Sequence, residues 1–149
     1  MDDEEEKLMS SLSFITTSNP EWDKRVVSGL RNECEVLTGI KEDFQTYSLY
    51  VKSREIFAGA ISVEQHGNIL WIDSLWIEPH FRKQGIGKML IEKVLLLPAQ
   101  HKVKEVQLNT YFKEAHDFFL NCGFEDVAII SNWKYGLTCY LMRKRCRKS

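Results

Sequence analysis

The stretch Arg82-Lys83-Gln84-Gly85-Ile86-Gly87-Lys88 brings three cationic side chains and two glycines into one short segment. It follows the apolar run Ile69 to Ile77 and opens a helical pattern carried by Ile86, Met89, Leu90, Val94 and Leu97. Such a junction suits an anion: the first N–H groups of a helix have no partner inside it, and the helix dipole adds about half a positive charge there. Glycine at 85 or 87 lets a phosphate approach the backbone and permits a positive φ. Two rival phosphate loops do not fit. The dinucleotide fingerprint needs a third glycine where Leu90 stands, and the Walker loop needs Ser or Thr where Met89 stands.

A second feature is a carboxylate in an apolar strand. Asp73 sits between Ile72 and Leu75, where an ionised group is costly unless paired or wet. Strand alternation puts Trp71 on the same face. Asp73 reads either as a site residue or as a carboxylate bonded to a neighbouring loop. Glu64, at the end of the preceding run, reads as a second carboxylate of use or as a solvated edge residue.

The elements that must position these groups follow from periodicity. Leu12 to Thr16 reads as a short strand, and Asn19-Pro20 starts a helix whose apolar face is Trp22, Val26, Val27, Leu30 and Cys34, ending near Leu37. Three strand-like runs follow, Phe44 to Val51, Ile56 to Val63 and Ile69 to Ile77, joined by short polar breaks that predict an antiparallel meander. Pro98 closes or bends the helix after the glycine loop. Lys104 to Thr110 then reads as a strand, so strand, loop, helix and strand form a crossover unit with parallel strands. Phe112 to Asn121 is a further amphipathic helix stopped by Gly123. Val127 to Ile130 and Leu137 to Met142 finish the chain as strands around a turn.

At 149 residues, with 44% hydrophobic and 28% charged residues, the chain has the makeup of a globular domain rather than a disordered or fibrous one. The expected organisation is an acidic disordered leader (1–10), one domain (11–144) and a basic tail (145–149). Charge is near balance, with Asp2 to Glu6 acidic and Arg143, Lys144, Arg145, Arg147 and Lys148 forming a basic end, both read as frayed and solvated. No basic stripe crosses the body, which argues against a nucleic-acid partner. The longest apolar run, Val94 to Leu97, is too short for a membrane span. Cys34, Cys122, Cys139 and Cys146 show no metal-ligand spacing and read as free thiols of a reducing cytoplasm, with no metal expected.

Taken together, the glycine loop, the strand Leu70 to Pro79 before it, and Ala115-His116-Asp117-Phe118-Phe119-Leu120-Asn121-Cys122-Gly123-Phe124 after it resemble the GNAT superfamily of acyl-CoA N-acyltransferases. Its pattern is Arg/Gln-x-x-Gly-x-Gly/Ala, followed downstream by Tyr-x-x-x-Gly-Phe, and the likeness covers about Leu12 to Lys144. Small bacterial members look most similar. The resemblance implies an α+β fold: a mixed, mostly antiparallel sheet of six to seven strands with helices on both faces. It implies acetyl-CoA as cosubstrate and an amine as acceptor, and leaves a homodimer open. The backbone of Leu75, Trp76 and Ile77 would pair with pantetheine. The amides of Lys83, Gln84, Gly85, Ile86, Gly87 and Lys88 would hold the pyrophosphate, with Arg82 shaping or charging the loop. Asp73 falls where some members carry the base, and Glu64 is the reserve.

Two positions depart from the family pattern. Phe119 stands where the family's acidic tyrosine stands and cannot donate a proton, so it is expected to pack near the thioester. Tyr111, Tyr135 and Tyr140 are displaced candidates for the acid. Position 112, where an Asn is usual, is Phe, leaving Asn109 and Thr110 as replacements. The reaction implied is direct attack of a small-molecule primary amine on acetyl-CoA in a ternary complex. A non-catalytic acyl-CoA-binding module and a protein N-acetyltransferase are the alternatives.

Overall fold

The computed structural model describes residues 2–41, 45–97 and 103–146, and the chain divides into two units, residues 1–41 and 42–149. The first unit holds α1 (Asp3–Ser11) and α2 (Pro20–Thr38). The acidic leader, expected to be disordered, is helical. The Asp2 carboxylate accepts from Glu5 N–H at 2.9 Å, and Asp3, Glu4, Glu5 and Glu6 stand in the first turn, where the helix dipole favours negative charge. Leu12 to Thr16 forms no strand. α2 matches its reading: the Asn19 side chain accepts from Trp22 N–H, Pro20 sits in the first turn, and Gly39 closes the helix at φ 68°.

The second unit runs β1 (Gln45–Ser53), β2 (Ile56–His66), β3 (Ile69–Ile77), α3 (Ile86–Val94), β4 (Glu105–Thr110), α4 (Lys113–Asn121), β5 (Glu125–Lys134) and β6 (Leu137–Arg145). The strands form one sheet in the order β1-β2-β3-β4-β6-β5. β3 and β4 are parallel, as a crossover through α3 requires, and the other neighbours are antiparallel. The expected mixed, mostly antiparallel α+β sheet is therefore present, with six strands.

Alternation supplies the core. Ile61, Val63, Leu70, Ile72, Val106, Leu108 and Met142 point from β2, β3, β4 and β6 into one cluster with Leu90, Ile91 and Val94 of α3 and Phe119 of α4. Each such side chain contributes about 1.5–3 kcal/mol by leaving water. This cluster fixes α3, and hence the loop before it, against the strands that carry Asp73.

The last hairpin is longer than its apolar pattern suggested. Arg143, Lys144 and Arg145, read as part of a frayed basic end, belong to β6. Arg143 Nε lies 2.9 Å from Glu125 Oε1, and Lys144 Nζ donates to the Cys122 carbonyl at 2.7 Å, so cross-strand and helix-end partners hold these cations. The readings at Phe44, Pro98, Arg147 and Lys148 lie outside the described residues. Among the described residues, no helix is long and apolar enough to cross a membrane.

Candidate active site

The parallel ladder between β3 and β4 is short. It pairs Ile69, Leu70 and Trp71 with Glu105, Val106 and Gln107, and then stops. Beyond that point β3 stays paired with β2 through Gly59↔Ile77, while β4 stays paired with β6 through Thr110↔Tyr140. Two neighbouring strands thus separate in mid-sheet, and each turns an unpaired backbone edge toward the gap. Unmet N–H and C=O groups make such an edge a template for an extended ligand. Leu75, Trp76 and Ile77 lie on the β3 side of this gap, and Asn109 and Thr110 on the β4 side.

The glycine loop lies just past the end of β3. Arg82 Nε donates to the Ile77 carbonyl at 2.8 Å, and its guanidinium lies 4.7 Å from the Trp76 ring centroid. Arg82 therefore ties the loop back to β3, which is a shaping role. Gln84 Nε2 donates to the His80 carbonyl at 3.2 Å. The backbone turns through positive φ at Lys83 (62°) and Gly85 (82°). The first backbone bond of α3 is Met89 N–H to the Gly85 carbonyl, and no side chain caps the helix. The N–H groups of residues 83–88 consequently have no acceptor among the described residues, an arrangement suited to phosphate oxygens.

The two glycines do different work. Gly85 has open space around its missing Cβ and is required by its φ. Gly87 is buried, and a Cβ there would lie 2.9 Å from Phe118 Cζ. Its smallness seats α3 against α4, where sequence reasoning had assigned it to phosphate access.

Asp73 occupies a β-bulge. Ser74 pairs with Ser62 and Ile72 with Val63, so Asp73 is the extra residue on β3. The alternation changes phase there: Leu70 and Ile72 are buried before it, Leu75 and Ile77 pack on the core after it, and Asp73 and Ser74 are both exposed. A bulge re-aims side chains and resolves the cost of a carboxylate in an apolar strand. Asp73 has no hydrogen bond or ion pair among the described residues. Glu64 stands across the ladder from Trp71, and its Oε2 lies 3.3 Å from His66 Nε2.

The structure places Phe119 in the core, 6% exposed and edge-on to Phe118 and Phe124. Of the displaced tyrosines, Tyr111 has its hydroxyl 3.5 Å from Asn109 Nδ2, Tyr135 is almost fully exposed in the last turn, and Tyr140 stacks on His116 at 3.8 Å. His116 is largely buried and lies 2.8 Å from Asp126 Oδ1. Its place three residues before Phe119, on the inward stripe of α4, is the signal that could have shown this.

The comparisons with known proteins decide the family. The model of the acetyltransferase (GNAT) domain matches residues 42–126, which span β1 through the start of β5. The chain belongs to the GNAT acetyltransferase family. Among similar proteins, the uncharacterized N-acetyltransferase YkwB of Bacillus subtilis (strain 168) is 26% identical over 95 residues, covering 47% of this chain and 42% of that one. This GNAT chain therefore matches less than half the length of that curated relative. An acetyltransferase from Bacillus cereus ATCC 14579 superposes with a TM-score of 0.78 at 18% identity, covering 90% of this chain and 98% of that one. An aminoglycoside 6'-N-acetyltransferase complexed with coenzyme A gives a TM-score of 0.62 at 15% identity, covering 92% and 98%. At these identities, the two structures speak for the GNAT fold alone.

Proposed function

We propose that this GNAT protein is an N-acetyltransferase that takes acetyl-CoA into the gap between β3 and β4 and passes its acetyl group to a small-molecule primary amine. The observation that carries the reading is the end of the β3–β4 ladder at Trp71 and Gln107, with the unpartnered amides of residues 83–88 just past the end of β3. Pantetheine is an extended chain of amides and suits the unpaired edge from Leu75 to Ile77. The pyrophosphate suits the loop amides, and Asn109 and Thr110 line the opposite edge.

In this reading the amine attacks the thioester carbonyl directly, with both substrates bound. Asp73, bulged and exposed beside the gap, takes the proton of the incoming ammonium directly or through water. Glu64 is the reserve. The departing thiolate is that of an alkyl thiol, whose pKa of about 8.5 makes it a tolerable leaving group near neutrality. Water can therefore supply the proton that Phe119 cannot, and Tyr111, with its hydroxyl 3.5 Å from Asn109 Nδ2, is the displaced tyrosine that directly follows β4. Phe119 serves as an apolar wall.

Phe119 also favours a second reading, a module that binds acyl-CoA without turning it over. Release of free CoA thiol from acetyl-CoA, followed across a panel of primary amines and of peptides with free N-termini or lysines, separates the readings. Thiol release with small amines supports the proposal, and release with peptides alone moves the acceptor to protein. Binding of acetyl-CoA without release across the whole panel supports the non-catalytic module.

A further inference from the structure

A cavity on the face of the sheet that carries Trp71 is used by none of the cofactor contacts above. It has a volume of about 320 Å³ and is lined by Glu64, His66, Ile69, Trp71 and Gln107. Three strands build it: Glu64 and Trp71 are directly opposed in the β2–β3 ladder, and Trp71 and Gln107 are partners in the last rung of the β3–β4 ladder. The cavity therefore sits where the acetyl gap begins to open.

Its chemistry is that of a cation site. Glu64 is 33% exposed, which leaves its carboxylate accessible while reducing the screening that a fully solvated group suffers. Trp71 is the aromatic residue of the lining, and the face of an indole ring attracts an ammonium electrostatically. Arg143, the β6 partner of Gln107, is engaged by Glu105 and Glu125 at 3.9 and 2.9 Å. His66 lies beside Glu64 at 3.3 Å, and Gln107 Nε2 donates to Glu105 at 3.1 Å. Asp73 is two residues along β3 from Trp71, and the bulge keeps it on the exposed side.

We propose that the acceptor is a short linear diamine: one ammonium sits between Glu64 and the Trp71 ring while the other nitrogen is presented at Asp73 to the thioester. This rests on the acetyl-transfer reading and names its substrate class. The reacting ammonium gives a proton to Asp73 or its water, its nitrogen forms a bond to the acetyl carbonyl carbon, and the carbon–sulfur bond breaks. The thiolate leaves and is protonated by solvent. The products are a monoacetylated diamine, free CoA thiol and one proton released to buffer. The distal ammonium takes no part in bond making; it sets which amine is held.

Initial rates with the full chain and acetyl-CoA, comparing 1,4-diaminobutane and 1,5-diaminopentane with n-butylamine, test this. The expected result is a kcat/KM at least about tenfold higher for the diamines, residing in KM, because an ion pair and a ring contact are each worth up to about 1 kcal/mol. In Glu64→Gln that preference shrinks to about fivefold or less, the share of the ring contact. Equal kcat/KM for diamine and monoamine in the wild type overturns the inference, as does a preference that persists undiminished in E64Q. Calorimetry of 1,4-diaminobutane binding in the presence of CoA reads the cavity without turnover. Glu64-dependent binding with no thiol release would sustain the cavity and sink the acetyl-transfer reading. Thiol release with amines but no diamine preference would do the reverse.

Discussion

At the scale of the residue, the backbone decides how a few groups are presented. Asp73 is exposed because a bulge lifts it out of an otherwise apolar strand, and that leaves it free to accept a proton beside the gap. Asp73→Asn keeps the shape and removes the carboxylate proposed as the base. Its kcat/KM at neutral pH is expected to fall about 100-fold or more while acetyl-CoA binding by calorimetry stays within about twofold. Full kcat/KM in this variant would remove Asp73 from the mechanism. The unusual placement of Asp73 was legible from Ile72 and Leu75 around it. The bulge was not, because it depends on the register with β2, which one strand's own pattern does not contain. Phe119 was legible as a missing acid, yet its burial against Phe118 and Phe124 emerges only from the packing of α4.

At the scale of the element, the loop and first turn of α3 use their two glycines in separable ways. Gly85→Ala forces a Cβ onto a left-handed backbone at φ 82° with nothing near it, which costs about 1–2 kcal/mol and disturbs the amides; acetyl-CoA affinity should drop about tenfold or more. Gly87→Ala drives a Cβ to 2.9 Å from Phe118 and should cost about 1–3 kcal/mol of stability in urea denaturation. Adding Phe118→Leu to the Gly87→Ala chain should recover part of that stability but leave Gly85→Ala unimproved. Equal behaviour of the two glycine variants would show that the division is wrong. The meander, the crossover and the helix with Gly123 at its end were readable from apolar spacing and turn residues. The acidic leader was read as disordered from its charge density alone, and that density does not show that Asp2 and the acidic first turn form a helix start. The basic end was shortened by β6, whose cations find Glu125, Glu105 and the Cys122 carbonyl only once the hairpin is formed.

At the scale of the whole molecule, the sheet holds a gap in its middle and a core beneath it, and the core sets how the fold responds to pH. The described cysteines are free, and burial pushes the Cys122 thiol above its ordinary 9.0, opposed in part by Lys144 and Lys88; burial raises Cys146 as well. A raised folded-state thiol pKa means that the unfolded chain loses its proton first. The stabilisation is thus complete below 9.0 and is lost as pH rises toward and through the folded value. Stability from urea denaturation should decline above pH 9, and Cys122→Ala should flatten part of that decline. The same thiol at Cys34 is exposed and should react first with a thiol reagent in the native protein.

The gap between β3 and β4, with the amides of residues 83–88 just past the end of β3, is the central claim, and ligand truncation tests it most directly. Calorimetric titration of the full chain with acetyl-CoA and with S-acetyl-pantetheine, which lacks the pyrophosphate and nucleotide, isolates what the loop amides contribute. The account predicts saturable acetyl-CoA binding and an affinity for S-acetyl-pantetheine weaker by about 100-fold or more, since several charge-assisted hydrogen bonds of about 1.5–3 kcal/mol each are lost. Equal affinity for the two ligands, or no binding of acetyl-CoA, would contradict it.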